Sequence, residues 1–406
     1  MCKRNWATCT VLIGAILIAS PILAPVSAYS ASYFVATNGS DSNPGTQSQP
    51  FRTINRAVGA LTPGTVLYIR AGTYTEGLTN AIPGGTSWDQ PVTIAAYPGE
   101  VVIVKPAAGT MRVLYLDGAG RKYIIIDGLI LDGSNVSYDA VKITYAGNDV
   151  TTSAHHVRIM NTEIRNAPAQ GILVSGQSSS NEFINLKVHD NGTTDFDHGI
   201  YISTDSNLVE RCEIFRNAGW GVHIYNGSGT TNGNVVRSNR IYNNARLGQR
   251  GAALGLYTGD NNVAYNNIMW GQQMGISLDY GANSAVVVNN TIYANREAGI
   301  YNGAGSNRSV IQNNIVYKNS VAVTDAGSGT ALSYNLIDRD PQFKDPSVSD
   351  FHLQSMSPAI AAGTTLPLVK TDFDGVPRPI AKPYSVGAYE PGNVVLPGTV
   401  QNVKIK

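Results

Sequence analysis

Between residues 181 and 260 the chain gathers side chains suited to acid–base work: Lys187, Asp190, Asp195, Asp197, His198, Tyr201, Trp220, His223, Tyr225, Arg240, Arg246, Arg250 and Tyr257, with Asp279 just beyond. Removing a proton next to a carboxylate needs a base of tuned pKa and a cation or metal to absorb the developing charge. In that scheme His198 or Lys187 is the base, His223 stands beside it, and Tyr201 is the proton donor. Arg246 or Arg250 holds the carboxylate. Asp190, Asp195 and Asp197 supply oxygen ligands for Ca²⁺. Trp220, Tyr225, Tyr257, Arg240 and Asp279 line the substrate, the rings offering flat apolar faces. Two other chemistries use the same stretch. Asp195 or Asp197 paired with Asp279 or Glu210 would suit glycoside hydrolysis, which needs carboxyls about 5–9.5 Å apart. The tyrosines alone would suit a glycan-binding or structural surface protein.

What positions these residues is an internal repeat from about 155 to 330. Apolar anchors recur at Ile164, Val188, Ile214, Ile241, Ile268, Ile292 and Val316, spaced 24, 26, 27, 27, 24 and 24 residues apart. Five residues before each stands another apolar residue (Ile159, Phe183, Val209, Val236, Val263, Val287, Ile311), and two before it Thr162, Leu186, Cys212, Asn239, Asn266, Asn290 or Asn314. Short alternating runs follow, such as Gly199-Ile200-Tyr201-Ile202 and Gly221-Val222-His223-Ile224, the pattern of half-buried strands. A period of this length made of strands predicts an all-β solenoid, a parallel β-helix, with stacked Asn side chains bonding between coils. The middle coils are the longest, so their extra residues emerge as loops on one side.

The repeat also sorts side chains into outward columns. Tyr201 and His223 are equivalent one coil apart, as are Ser203, Tyr225, Tyr257 and Asp279, and as are His198 and Trp220. Glu163, Lys187, Glu213 and Arg240 form an alternating-charge column, and Arg165, His189, Phe215, Tyr242, Met269, Tyr293 and Tyr317 a largely aromatic one. Each has a plainer reading: mutual neutralisation, cross-coil packing, Asp195 and Asp197 as turn caps, His198 as a satisfied loop histidine, Trp220 as cover for a core corner.

The bulk properties set limits. Lys3 and Arg4, the apolar run Val11 to Ala19 and Val26-Ser27-Ala28 form a secretory leader over residues 1–28, cleaved or kept as an anchor. Its removal takes two basic residues from a formal charge of +1, leaving −1. That balance argues against nucleic acid as a partner, which needs a basic stripe. No later run is long enough to span a bilayer. Cys2 and Cys9 lie in the leader, so Cys212 is left alone as a buried thiol without a disulfide partner, in a chain expected to be monomeric. Residues 29–390 read as one β-helix domain, with an N-terminal cap over 33–75 that contains a helix from Phe51 to Leu61. A closing segment covers 331–390, and 391–406 is a flexible tail.

The block from Tyr33 to Tyr74 resembles the N-terminal signature of bacterial secreted right-handed parallel β-helix proteins of the pectate-lyase-like superfamily. Asp340-Pro341-Gln342-Phe343, Asp350-Phe351-His352-Leu353, Asp372-Phe373-Asp374-Gly375 and Val386-Gly387-Ala388-Tyr389-Glu390 resemble their closing segment. The resemblance spans about 33–390 and implies a right-handed β-helix. It also implies action on an acidic polysaccharide, as a lyase or C5-epimerase among other activities the fold hosts. Asp195-Phe196-Asp197-His198 is similar to the Asp-Pro-His segment of mannuronan C5-epimerases, with Phe196 where proline would stand.

Overall fold

The computed structural model describes residues 31–248, 251–380 and 382–391. Leader and tail therefore lie outside the described residues, apart from Pro391. Three long sheets of twelve, ten and eleven strands run the length of the chain, and each coil contributes a strand to successive sheets. Pairing between coils is parallel throughout. The first coil pair, Ser32–Val35 on Val66–Ile69, lies far ahead of the regular repeat. The parallel β-helix expected from the repeat is therefore present and longer than the repeat suggests. Inward apolar residues from all three sheets form one continuous core.

The capping helix is shorter than its apolar spacing implied, Ile54–Val58. Thr53 accepts the N–H of Arg56 at its start, and Glu76 accepts those of Ile54 and Asn55. Ile54, Ala57 and Val58 are buried with Val35, Phe51 and Leu67, so the helix covers apolar surface at the first coil.

One anchor is displaced. Ile241 pairs with Met269, and Ile268 pairs with Arg240. The inward residues of that coil are thus Met269, Ala264 and Asn267, while Trp270 takes the aromatic column in place of Met269. Asn266 instead bonds Thr371 and Arg378 of the closing segment.

The expected Asn stack exists and is one of three. Cys212, Asn239, Asn267, Asn290, Asn314 and Asn335 form it, each Asn Oδ1 and the Cys212 sulfur accepting the backbone N–H of the coil before. Asn181, Asn207, Asn234 and Asn262 form a second. Asn191, Asn217, Asn244, Gln272, Asn295 and Asn319 form the third. They satisfy buried corner amides that no strand can reach. Cys212 is buried as expected, and burial pushes its thiol up to about 12.

The closing segment packs Phe343, Phe351, Val386 and Tyr389 onto Ile268, Ile315 and Trp270 of the eleven-stranded sheet. It is latched by His352, whose Nδ1 lies 2.5 Å from Asp350 and Nε2 2.7 Å from Asp374, with the ring 4.0 Å from Tyr389. The Asp374 bond raises the His352 pKa. Burial pushes the Asp350 carboxyl up, but the bonds from His352 bring it below its ordinary value. A raised histidine contributes stability that is complete below its unfolded value, about 6.5, and lost as pH rises through the folded one. A depressed aspartate contributes above about 3.9 and is lost as pH falls. Hydrogen-exchange protection of residues 343–353 should therefore peak between about pH 4 and 6.5. His352→Phe should abolish the decline on the alkaline side, and an unchanged decline in that variant would refute the latch.

Candidate functional site

The outer face of the ten-stranded sheet carries several of the expected side chains. Its strands alternate, with Val141 and Ile143 buried around Lys142, Ile200 and Ile202 around Tyr201, and Val222 and Ile224 around His223. Register sets Tyr115, Lys142, Leu173, Tyr201, His223 and Gly255 in one outward column. Neighbours along it are about 4.8 Å apart.

The expected patch assembles on this face. Tyr201 and His223 stack at 5.2 Å, Trp220 and His223 at 4.8 Å, and His223 and Tyr225 at 5.6 Å. Tyr257 closes the cluster edge-on, 5.4 Å from both Trp220 and His223, its hydroxyl on Ser277. Gly255 lets Trp220 lie down, since a Cβ there would sit 2.8 Å from the indole. Tyr280, 65% exposed and 5.2 Å from Tyr257, extends the ring surface outward.

Hydrogen bonding fixes the histidines in a way the sequence did not reveal. The backbone N–H of Trp220 donates to His198 Nδ1 at 3.1 Å, so the neutral His198 proton sits on Nε2. That nitrogen lies 3.0 Å from His223 Nδ1, which must accept, leaving His223 with an Nε2–H that is buried and unpartnered. Burial lowers His198 to about 3 and His223 well below its usual value. Both rings are neutral, and neither has a free lone pair turned toward a substrate. This arrangement does not fit the assignment of His198 as base, since both of its ring nitrogens are engaged by Trp220 and His223. Tyr201, its pKa raised by burial, stays a protonated hydroxyl.

Other expected members lie elsewhere. Lys187 is on the eleven-stranded sheet, 3.7 Å from Glu213, in the mutually neutralising column. Arg240 is on that sheet too, bonded to Tyr389 and Ser349 beneath the closing segment. Arg246 bonds the Gly192 carbonyl at the corner, and Arg250 lies outside the described residues. Asp279 shares its column with Tyr257, as expected, with Oδ1 taken by the N–H groups of Tyr280 and Gly305. Glu210, expected as a hydrolase partner of Asp195 or Asp197, is on the twelve-stranded sheet and ion-paired with Arg237, off the face that carries the ring cluster.

The three aspartates expected as Ca²⁺ ligands do not converge in this structure. Asp190 is held by Arg216 and His189, and the Arg216 bonds lower it to about 2. Asp197 caps the turn through the N–H groups of Thr193 and Thr194. Asp195 contributes no such bond, and among the described residues no group of three or more His, Cys, Asp or Glu side chains converges to hold a metal.

What sequence reasoning missed lies further down the same column. Lys142 is half-buried between Tyr115 and Leu173 and makes no hydrogen bond or ion pair with the described residues. Burial and the neighbouring Arg112 lower its pKa. Arg112 is fixed by the buried Asp139 at 3.1 Å and packs between the rings of Tyr115 and Tyr138, 5.2 Å from each. Burial raises the Tyr115 pKa. The Val141–Thr144 alternation was the available signal, but it lies ahead of the regular repeat.

No helix among the described residues is long and apolar enough to cross a membrane. Residues 33–335 match the model of the Pel9A-like right-handed β-helix region. The chain is 23% identical over 301 residues to pectate lyase L of Dickeya dadantii, covering 65% of each. It is 26% identical over 224 residues to pectate lyase PEL9 of Emericella nidulans, covering 53% of this chain and 48% of that one. It is 33% identical over 135 residues to the uncharacterized protein YwoF of Bacillus subtilis, covering 32% and 28%. The chain thus spans between 28% and 65% of the length of these curated relatives. The crystal structure of pectate lyase Pel9A superposes with a TM-score of 0.69 at 19% identity, covering 88% of this chain and 96% of that one. An alginate lyase from Paenibacillus superposes at 0.54 and 18% identity, covering 70% and 95%. The coil register and the matched family model agree over the same residues: the chain belongs to the Pel9A-like right-handed β-helix family.

Proposed function

We propose that this chain is a secreted polysaccharide lyase or C5-epimerase that binds a uronate-containing polymer along the outer face of the ten-stranded sheet. The observation that carries the reading is Lys142, an amine with no ion pair among the described residues, its pKa lowered by burial beside an arginine locked by a buried aspartate. Pectate lyases among the sequence relatives support an acidic substrate.

The chemistry follows from these groups. Arg112 neutralises the uronate carboxylate, which makes the C5 proton removable. Neutral Lys142 takes that proton, and the C5–H electron pair moves into the carboxylate as an enolate. In a lyase the C4–O4 bond then breaks, C4=C5 forms, and the leaving oxygen takes a proton from the Tyr115 hydroxyl. In an epimerase a proton returns to C5 from the opposite face. Two to three coils on, Tyr201, Trp220, His223 and Tyr225 form the platform on which further sugars stack. The polymer's remote units would thereby help orient the reacting one.

The test is a panel of pectate, alginate and rhamnogalacturonan, assayed for unsaturated uronates, reducing ends and epimer ratio, with and without a chelator. Unsaturated products or inverted C5 centres that survive chelation are expected, because Asp190 and Asp197 are already engaged. New reducing ends without unsaturation would instead assign a hydrolase. Retention on glycan gels without any product would assign a binding protein.

A further inference from the structure

At the corner leading into the twelve-stranded sheet, a second group of rings gathers outside the groove just described. Tyr123 and His156 occupy equivalent positions one coil apart, with ring centroids 4.9 Å apart. Trp88, from the loop before Val92–Ala96, meets Tyr123 edge-on at 5.4 Å and lies 6.3 Å from His156. The Arg158 guanidinium sits 4.4 Å over the Trp88 ring and is fixed at 2.7 Å by Glu182. Lys122 and His155 flank the group, and all these side chains are half-exposed.

The backbone conformation of this corner recurs along the solenoid. The turn requires a left-handed residue, and later coils place Ser180, Ser206, Gly233, Asn261, Ser284, Arg308 and Gly329 there, only Arg308 among them bulky. Small or amide residues tolerate that region. Tyr123 (φ 51°) and His156 (φ 53°) hold the same conformation with bulky rings, which the turn itself does not call for.

The histidines narrow the ligand. Nδ1 of His155 and Nδ1 of His156 lie 2.6 Å apart, so one donates to the other, and burial leads the lowering of both pKa values. As a neutral pair they leave one Nε2 donor and one Nε2 acceptor at the surface. A donor, an acceptor, aromatic faces and the ammonium of Lys122 are what a sugar diol bearing a carboxylate would meet. Lys122 and Arg158 beside the pair oppose a divalent metal. We propose that the Trp88–Tyr123–His156 corner is a second, non-catalytic binding site for acidic saccharide, which holds polymer outside the reaction groove.

His156→Ser is the discriminating variant, because Ser180 fills the same turn one coil later and the fold should be kept. It and Trp88→Ala would be compared with wild type and with the groove variant Tyr201→Ala. The readouts are retention on pectate and alginate affinity gels and turnover of a short oligouronate. At least a tenfold loss of polymer retention is expected, with turnover of the short substrate unchanged. Retention equal to wild type in both corner variants would overturn the site, as would a wild-type chain that retains no acidic polymer. A Zn²⁺-induced rise in melting temperature that His156→Ser removes would also overturn it, assigning the corner to metal. If turnover is absent from wild type while corner-dependent retention persists, the proposed reaction fails and this site stands.

Discussion

Lys142→Met is expected to lower kcat on the preferred polymer by about 10²–10⁴-fold, the span over which a positioned general base contributes. KM should move far less, because most of the polymer's contacts lie on the ring platform two coils and more away. The side chain is half-buried and has no partner among the described residues, and methionine replaces its stem at similar volume, so the fold should survive. Lys142→Arg should be nearly as damaging. It keeps a cation at that point, but one that stays protonated and cannot accept the C5 proton. In the wild type the basic form of Lys142 is the active one, so kcat should rise with pH through an inflection below the ordinary lysine value of about 10.4. The inflection should vanish in Lys142→Met. Arg112→Gln should weaken acidic substrates and raise the Lys142 inflection, since it removes a neighbouring positive charge. A Lys142→Met enzyme within a few-fold of wild type would eliminate this centre, and the search would return to the corner near Arg246.

The fold was legible because a solenoid writes its cross-section into the sequence once per coil. Every column inferred for Tyr201, His223, Tyr225 and Tyr257 proved correct in register. The slip at Ile268 has a physical origin. That coil is one residue longer than its apolar spacing suggests, and Ile268 is as buried as Met269, though by the closing segment and not by the core. Apolarity alone does not tell those two environments apart.

The site was half legible for a different reason. Column membership follows from register, but protonation and partner choice follow from local hydrogen bonds. His198 was placed correctly, yet the Trp220 N–H that fixes its tautomer is a backbone group invisible to side-chain patterning. Asp190 and Asp197 were expected as Ca²⁺ ligands, but Arg216 one coil on and the Thr193–Thr194 turn engage their oxygens. Lys142 escaped notice because the coils before residue 155 vary in length, and Ile130, the one anchor read there, is off by one, Leu131 being the residue that pairs with Ile164.

The Asn ladders account for how such irregular coils stay stacked, and they carry the largest stability prediction. Asn239 accepts the Cys212 N–H at 2.8 Å, donates to the Val209 carbonyl at 3.0 Å and donates to Asn267 at 2.9 Å, all of it buried. Asn239→Ala leaves the Cys212 amide without its acceptor and a packed corner with a void. An orphaned buried donor costs about 1–3 kcal/mol and lost bonding to its neighbours about 1 more, so a loss of about 2–4 kcal/mol is expected. Cys212 offers the opposite experiment. It occupies the same ladder, its sulfur 3.5 Å from the Leu186 N–H and 3.3 Å from the Phe183 carbonyl, with Asn239 next along. Cys212→Asn would present an amide to the same three partners, replacing weak sulfur bonds with ordinary ones, and should stabilise by about 1 kcal/mol. Stacked repeats couple chiefly to their neighbours, so the readout is the urea midpoint together with hydrogen exchange at residues 186, 212 and 239. A ladder that only follows the packing, without holding it, would leave Asn239→Ala within about 0.5 kcal/mol of wild type and Cys212→Asn destabilised by its added polarity. Both shifts in the expected directions would show that the corners, as much as the apolar core, keep Lys142, Tyr201 and His223 in one line.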